Sequence, residues 1–258
     1  MSLLERPEQS PAFRAWLEAL ETRHLADLRI AEVTRALRAL SSAYVERRGA
    51  VRSVLDTAGK RAAFALFYAP LHFLTTQLIV RELQAAAPPP RLILDVGCGT
   101  GAAGAAWAVA SSSRAISGID RHPWAVAEAN WTYRQFALSG RARQGDAARL
   151  RAPAQGTAVI AAYVLNELPD AVRSAVEHWL LDAAGRGCPV LVIEPIAQRV
   201  APWWDAAAAR VQSLRGRADT WRFRVDLPQP LRLLDKAAGL NHHELTARSI
   251  YCPGRAAD

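Results

Sequence analysis

The sequence predicts an α/β protein in two parts, an N-terminal all-helical domain and a doubly wound sheet with helices on both faces. Residues 1–87 place apolar side chains at three- and four-residue spacings, as amphipathic helices do. The run Pro88–Pro90 cannot continue a helix. From residue 91 onward, short aliphatic runs alternate with helix-like stretches, which is typical of parallel strands joined by helices. We therefore predict domains at 1–87 and 91–258.

The helical domain contains two blocks. The first has apolar positions at Leu17, Leu20, Leu25, Leu28, Val33, Leu37 and Leu40. The second includes Ala63–Val80, which runs 18 residues without a charged side chain, the lower limit for a membrane span. Because Pro70, His72 and further polar residues lie at its centre, we predict a buried helix, or one broken at Pro70. The first ten residues are charged and lack an apolar core, so we expect no signal peptide and a cytoplasmic protein.

The sheet domain has a strand candidate at each aliphatic run. Continuous apolar strands of this kind fit burial on both faces of a parallel sheet. The "TWRFRVDL" segment alternates, and is predicted as a strand or an extended loop. The firmer candidates are "RLILDVG", "AISGID", "ARQGDA", "AVIAAYVL", "PVLVIEP" and the final "HHELTARSIYC".

The charge balance has two explanations, a polyanionic partner and a compositional bias. The 258 residues carry a formal charge of +8, and only Lys60 and Lys236 are lysines, so the basic excess is almost all arginine. Residues 91–198 have ten basic and nine acidic side chains, whereas both flanking segments are more basic. This pattern suits a neutral cofactor-binding core with basic approaches for a nucleic acid. Compositional bias toward arginine and alanine explains it equally well.

Cysteine and histidine placement predicts no metal. The three cysteines, Cys98, Cys188 and Cys252, are far apart and form no Cys-x-x-Cys pair. His242 and His243 lack a third ligand at a suitable spacing. A disulfide framework is equally unexpected, which fits a reducing compartment.

The stretch "LILDVGCGTG" indicates a ligand loop. Gly97, Gly99 and Gly101 follow the first strand, at the edge of a doubly wound sheet where ligands bind. Their spacing approaches the dinucleotide fingerprint, but Asp95 precedes the loop, where it would repel a pyrophosphate and attract an ammonium group. Asp120 ends the second strand, where a carboxylate can accept both hydroxyls of a ribose. A third carboxylate, Asp146, ends the third strand.

Together, "LDVGCGTG", "GIDRHP" and "QGDA" resemble motifs of the class I S-adenosylmethionine-dependent methyltransferases, over about residues 91–252. The resemblance implies a Rossmann-like methyltransferase sheet and S-adenosylmethionine as cofactor. It implies that Asp95 and the Gly97–Gly101 loop, including Cys98, lie against the methionine part. It also implies that Asp120 binds the ribose hydroxyls and that Asp146 binds adenine with the amide of Ala147. Arg121 and Tyr163 would line the pocket.

The segment "AAYVLNELPD" follows the fourth strand, whose end faces the acceptor in this superfamily. Asn166 lies where amino-methyltransferases keep an Asn or Asp that holds an exocyclic amine, but here no aromatic residue follows the proline. Glu167 is a candidate proton acceptor. The alternative is that both residues cap the helix beginning near Pro169. Trp203 is a candidate for stacking on a planar substrate, or for packing beneath a helix.

A narrower resemblance rests on "YVLNELPD", on "VIEP" and on the helical leader from about Leu40. These segments look like the methyltransferases associated with the mitochondrial small ribosomal subunit and their bacterial relatives. The resemblance implies ribosomal RNA or the small subunit as partner. Some members carry a cysteine cluster consistent with an iron–sulfur site, but three cysteines cannot supply four ligands.

Three functions remain open from the sequence. The first is an RNA methyltransferase guided by the basic helical domain, whose phosphate-contact candidates are Arg47, Arg48, Arg52, Lys60 and Arg61. The second is a small-molecule methyltransferase with the helical domain as a lid, in which Tyr68 reaches the cofactor mouth. The third is a cofactor-binding assembly factor without turnover. A solvated helix face explains the basic residues equally well, and a core position explains Tyr68.

Overall fold

A computed structural model describes residues 6–46, 55–197 and 202–254, with the side chains of 43–46 excluded. The chain forms two compact units, one of residues 1–74 with 223–245 and one of residues 75–222 with 246–258. The division falls between Leu74 and Thr75, not at the predicted linker Pro88–Pro90. The reason is that the helix preceding this linker is continuous, and its last turns belong to the sheet unit. The indole Nε1 of Trp107 there donates to the carbonyl of Ala85 over 2.9 Å.

The helices have the following bounds in the described residues: α1 (Pro11–His24), α2 (Ile30–Glu46), α3 (Ala58–Ala63), α4 (Ala69–Glu82), α5 (Ala102–Ala110), α6 (Pro123–Gln135), α7 (Asp170–Gly185), α8 (Trp204–Val211) and α9 (Gln229–Ala237). The strands are β1 (Leu92–Val96), β2 (Ala115–Asp120), β3 (Ser139–Gln144), β4 (Thr157–Ala162), β5 (Val190–Glu194), β6 (Arg217–Arg224) and β7 (Glu244–Cys252).

The helical unit is organised around an aromatic core. Helix α1 begins where Ser10 accepts a hydrogen bond from the amide of Phe13 over 3.2 Å, with Pro11 in the first turn. Its buried face carries Phe13 and Trp16, whose rings lie 5.3 and 5.4 Å from that of Phe73. Offset and tilted aromatic pairs at these separations stabilise a core beyond simple area burial.

The apolar segment around Pro70 forms one helix and is not broken. The π-helical turn Phe64–Tyr68 joins α3 to α4, and the amide of Ala69 reaches back to the carbonyl of Phe64. This wider turn relaxes the helix just before Pro70, which has no amide hydrogen to donate. By length and composition, Ala58–Glu82 is the one helix among the described residues that could cross a membrane, yet 78% of its most apolar window is buried inside the protein.

The sheet confirms the predicted doubly wound fold. Its strand order is β3-β2-β1-β4-β5-β7-β6, with β1 to β5 parallel and β7 antiparallel to β5. The order reverses between β1 and β4, and ligands bind at such a switch point, at the carboxyl ends of the strands. Every residue of β5 is buried, as a strand covered by helices on both faces requires.

The exposed edge of the sheet at β3 is covered by one side chain. Asn130 of α6 accepts from the amide of Ala142 over 3.0 Å and donates to its carbonyl over 3.1 Å. The central outward-facing backbone groups of β3 are therefore satisfied within the chain. A strand from another protein would have to displace this amide in order to pair there.

Candidate cofactor and acceptor site

The loop after β1 has the shape of a ligand cradle. Gly97, Gly99 and Gly101 all have positive φ, at 66°, 51° and 78°. A Cβ at Gly97 would lie 2.2 Å from Val164 Cγ2, so packing forbids a side chain there. A Cβ at Gly99 would meet no atom within 4 Å. Gly99 thus presents bare backbone to open space, which fits a ligand that lies against the loop.

Asp95 is buried beneath this loop and supports it. Its Oδ2 accepts from the amide of Gly104 over 3.1 Å, and its side chain is almost wholly inaccessible. Burial raises the pKa of Asp95 to about 7, and the nearby Asp120 carboxylate acts in the same direction, while the Gly104 amide opposes the shift. The observed contact ties β1 to the first turn of α5. The contact predicted with the methionine part of the cofactor stays a prediction.

We expect Gly104→Ala to destabilise the protein by about 1–3 kcal/mol through overpacking. A Cβ at this position would lie 2.4 Å from Asp95 Oδ2 and 2.9 Å from Asp95 Cβ and Cγ, so rotating the carboxylate alone would not relieve the clash. The matched control is Gly185→Ala at the end of α7, where a Cβ meets nothing within 4 Å. That change should stabilise by up to about 1 kcal/mol, the usual gain of alanine over glycine in a helix. Urea unfolding of both variants checks the prediction, and equal effects would contradict it.

Asp120, at the end of β2, links the two sides of the cradle. Its Oδ2 accepts from the amide of Gly99 over 2.9 Å, and its Oδ1 accepts from the amide of His122 over 2.8 Å. Each carboxylate oxygen has more than one acceptor site. The carboxylate can therefore hold the loop and still accept the hydroxyls of a ribose, as its position at the strand end predicts.

Asp146 and Arg121 form an ion pair beside this carboxylate. The Arg121 guanidinium lies 2.8 Å from Asp146 Oδ2, and Asp146 Oδ1 accepts from the amide of Ala148 over 3.0 Å. The Ala148 amide and the Arg121 charge lower the pKa of Asp146. Asp146 thus caps the short turn that begins at Ala147. The predicted adenine contacts lie at this turn and stay predictions.

Two further predicted pocket residues lie in the same unit. Cys98 is buried in the loop, and burial raises the pKa of its thiol, so it is a neutral small side chain there. Tyr163 follows β4 with a φ of 58°, and its amide donates to the carbonyl of Ile193 over 2.7 Å. Burial raises the pKa of Tyr163, whose hydroxyl interacts with Thr75.

The segment after β4 is held by a buried glutamate. Glu194, the last residue of β5, is fully inaccessible. Its Oε1 accepts from the amides of Leu165 and Asn166 over 2.9 and 3.3 Å, and its Oε2 accepts from the Asn166 side chain. The indole of Trp203 donates to Asn166 Oδ1 over 3.2 Å. The side-chain amide of Asn166 is therefore fixed in one orientation by Glu194 and Trp203.

The sequence left open whether Asn166 and Glu167 cap the following helix. Helix α7 begins at Asp170, and Pro169 occupies its N-cap position. Asn166 and Glu167 instead lie in the short 3₁₀ turn Leu165–Glu167. Neither residue is the N-cap of α7, and their proposed roles at the acceptor remain predictions.

A buried arginine faces Glu194 across the sheet. Arg248 of β7 is opposite Glu194 in the β5–β7 register and is 5% exposed. Its guanidinium carbon lies 4.4 Å from the ring centroid of Trp204. Burial lowers the pKa of Arg248, while Glu194 and Asp205 oppose the shift. Neither charged residue lies in a motif that predicts a role for it, although a single glutamate ending the apolar run "PVLVIEP" is a pattern that could have revealed Glu194.

The predicted substrate contacts in the helical unit are only partly described. Arg47, Arg48 and Arg52 lie outside the described residues. Arg61 donates to the carbonyl of Leu55 over 2.8 Å. Lys60 lies 3.0 Å from Asp56. Both cations therefore have partners in the segment that leads into α3.

Tyr68 lies in the π-helical turn of the helical unit. Its ring is 5.8 Å from Phe64 and 6.3 Å from His72, and the edge of Phe67 is within 5.5 Å. Burial raises the pKa of Tyr68 and lowers that of His72 to about 3. Tyr68 thus belongs to an aromatic cluster that keeps His72 neutral.

Comparison with known proteins identifies the sheet unit. Residues 93–181 match the profile of a family described as "Methyltransferase domain". The matched range contains the glycine loop, Asp120, Asp146 and the segment after β4. No curated protein matches the chain. Among the described residues, no group of three or more His, Cys, Asp or Glu side chains could hold a metal ion.

Solved structures with a similar fold include several methyltransferases. The methyltransferase domain of bacterial CtHen1-C is 14% identical, covers 72% of this chain and 100% of its own, and has a TM-score of 0.49. Magnesium protoporphyrin IX methyltransferase from Synechocystis PCC 6803 is 17% identical, covers 85% and 95%, and has a TM-score of 0.47. The amino pentose methyltransferase CalS10 from Micromonospora echinaspora is 21% identical, covers 47% and 50%, and has a TM-score of 0.37.

The matched domain and the cradle define the class. Residues 93–181 of the sheet unit form a methyltransferase domain, and S-adenosylmethionine is the cofactor that it uses. The residues present fit this cofactor because Gly99 opens the loop to a ligand and Asp120 stands at the strand end beside it.

Proposed function

We propose that this protein methylates RNA in the cytoplasm, and that the acceptor is the ribosomal RNA of the small subunit. The observation that carries the proposal is the exposed charge of the sheet unit between residues 91 and 169. None of the five acidic side chains in this range is exposed, whereas all eight arginines are. The acidic residues are Asp95, Asp120, Glu128, Asp146 and Glu167. The arginines are Arg91, Arg114, Arg121, Arg134, Arg141, Arg143, Arg149 and Arg151.

Residues 91–169 carry eight basic and five acidic side chains, and folding turns this modest excess of positive charge into a basic surface. Folding buries Asp95 and Glu128 completely and uses Asp120 and Asp146 within the cofactor cradle. The arginines remain on the outside, where they can neutralise phosphates. A polyanionic acceptor next to the cofactor edge fits this surface better than a small neutral molecule. The narrower resemblance to ribosome-associated methyltransferases supports ribosomal RNA as that polyanion.

Methyl transfer requires the protein to align the acceptor atom with the methyl group. S-adenosylmethionine supplies, when bound, a methyl group that is already activated on a sulfonium. The chain has to hold the acceptor atom in line and exclude water. Asn166 suits this task because Glu194 and Trp203 fix its amide, and a fixed amide can orient an exocyclic amine. Glu167, in the same turn, is the proposed acceptor of the proton that the amine loses.

A second candidate function is the methylation of a planar small molecule. The π-helical turn Phe64–Tyr68 in the helical unit, with its aromatic cluster, favours it, because such turns within α-helices occur frequently at functional sites. Binding of the cofactor without any methyl transfer would instead support an assembly factor.

The acceptor can be identified with labelled cofactor. Purified protein is incubated with S-adenosylmethionine that carries a tritiated methyl group, together with total RNA, small ribosomal subunits or a small-molecule extract. We expect label in the RNA of the small subunit with wild type and none with Asp120→Ala. Label only in the small-molecule extract would overturn the proposal in favour of the second candidate. Normal cofactor binding with no label in any fraction would overturn it in favour of the assembly factor.

A further inference from the structure

We infer that the exposed face of β3 is the surface on which the phosphate backbone of the RNA docks. The residues concerned are Arg141 and Arg143, here called the β3 arginine row. The inference rests on the proposed function, because it names the surface through which the same acceptor reaches the cofactor. It differs from the sequence-based expectation, which placed the phosphate contacts in the helical domain.

The strand geometry places both side chains on one face. Arg141 and Arg143 are two residues apart in β3, so they point to the same side of the sheet, about 7 Å apart. The residue between them, Ala142, is buried against the other side, where Asn130 of α6 holds its backbone. Both arginines are exposed. Helix α6 therefore covers one face of β3, while the arginines project from the face opposite it.

The guanidinium groups of Arg141 and Arg143 are available to bind phosphates. Neither makes a hydrogen bond or an ion pair within the part of the chain that the structure describes, in contrast to Arg121, Arg173 and Arg217, which pair with carboxylates. The row also has no exposed acidic residue between positions 91 and 169 that could compete for it. Unpaired arginines in a region free of exposed carboxylates keep their full charge for a phosphate.

The row points toward the cofactor cradle. In the β2–β3 register Arg141 is opposite Ser117 and Arg143 is opposite Ile119, the residue before Asp120. The next exposed cation in this direction is Arg121, which is paired with Asp146. A backbone that follows the row therefore arrives at the carboxyl edge of the sheet, where the methyl donor is bound.

RNA fits this surface better than a protein strand. A protein that added a strand to β3 would need the outward-facing amide and carbonyl of Ala142, and Asn130 already binds both. The remaining feature of the surface is its positive charge, which recognises phosphates independently of sequence. Base-specific recognition would then fall to the acceptor segment around Asn166.

The test compares charge-reversal pairs. Arg141→Glu with Arg143→Glu removes the row, and Arg186→Glu with Arg215→Glu changes the net charge equally at exposed sites elsewhere on the sheet unit. Affinity for a labelled single-stranded oligoribonucleotide is measured by fluorescence anisotropy between about 50 and 200 mM salt. We expect the row variant to bind at least about tenfold more weakly and the control pair to change less than about threefold.

A variant with neutral side chains measures how many RNA phosphates the row contacts. Arg141→Ala with Arg143→Ala should lower the slope of log affinity against log salt by about 1.4, which is two single-strand phosphate contacts. Calorimetric binding of S-adenosylmethionine and the midpoint of thermal unfolding should match wild type in every variant. Equal RNA affinity in the row variant and wild type, or an equal loss in the control pair, would overturn the inference.

The methyl-transfer and binding experiments distinguish a wrong docking surface from a wrong proposed function. If wild type and the row variant transfer label to RNA equally well, the surface is wrong and the proposed function stands. If wild type binds RNA through the row but labels none, the proposed function is wrong and the row remains an RNA-binding surface. Association with small subunits that depends on the row and survives ribonuclease would assign the surface to a ribosomal protein and overturn the inference.

Discussion

Replacing Glu194 by alanine is expected to destabilise the protein by about 3–5 kcal/mol, because several buried donors lose one shared acceptor and each buried polar group left unsatisfied costs about 1–3 kcal/mol. Two backbone amides and the side chain of Asn166 lose their acceptor in this change. Arg248 loses the carboxylate that faces it across β5 and β7, and it stays buried against Trp204. The free energy of unfolding from urea titration measures the effect.

The control is an exposed carboxylate of the same unit. Asp170 lies 2.7 Å from Arg173, but its side chain is 90% exposed. Asp170→Ala should therefore cost no more than about 1 kcal/mol, as surface salt bridges do. A loss of stability in Glu194→Ala that is no larger than in Asp170→Ala would show that the glutamate does not hold the acceptor segment.

Glu194→Gln separates the hydrogen bonds from the charge. Glutamine keeps an oxygen for the amides of Leu165 and Asn166, but it places an NH₂ group where Asn166 needs an acceptor, and it leaves Arg248 without a facing charge. We expect an intermediate loss of stability. Stability equal to wild type would mean that the charge of Glu194 is unimportant and that its hydrogen bonds alone position the segment.

Asp120→Ala is expected to weaken S-adenosylmethionine binding by about 100-fold. Two hydrogen bonds that the carboxylate accepts from the ribose hydroxyls, each contributing about 1.5 kcal/mol, amount to about 3 kcal/mol. The same change frees the amide of Gly99, so the cradle also loses the contact that ties the loop to β2. Isothermal titration calorimetry with S-adenosylmethionine measures the loss directly, and unchanged affinity would refute the assignment of the ribose site.

Two controls locate the lost contact. Adenosine alone should lose affinity by a similar factor in Asp120→Ala, because the ribose is present in it and the methionine part is not. Asp120→Asn should lose about tenfold, since one acceptor oxygen remains. If adenosine binding is unchanged while S-adenosylmethionine binding is lost, Asp120 acts on the methionine part of the cofactor instead.

Periodicity and strand-end residues were sufficient to predict the fold and the cofactor. Aliphatic runs such as "LILDV" and "VLVIE" are visible in the local sequence, so their alternation with helix-like stretches predicted the strands of the doubly wound sheet. The glycines at 97, 99 and 101 are required by positive φ at each position, which is again local. Pro70 left a buried helix and a broken helix as the two predicted alternatives, and the helix is continuous because a π-helical turn just before Pro70 removes the need for its amide.

The position of the charges could not be predicted in the same way. Along the sequence, residues 91–198 are nearly neutral, and nothing local distinguishes Glu128 from a solvated glutamate, while the apolar run before Glu194 is the only local sign of its burial. Tertiary packing buries these two side chains and leaves Arg141 and Arg143 on the surface. The sequence by itself thus determined the class of fold and the methyl donor, because both depend on local patterns. Only the tertiary structure decided which charges meet solvent and which hold the acceptor segment, because burial depends on residues distant in the chain.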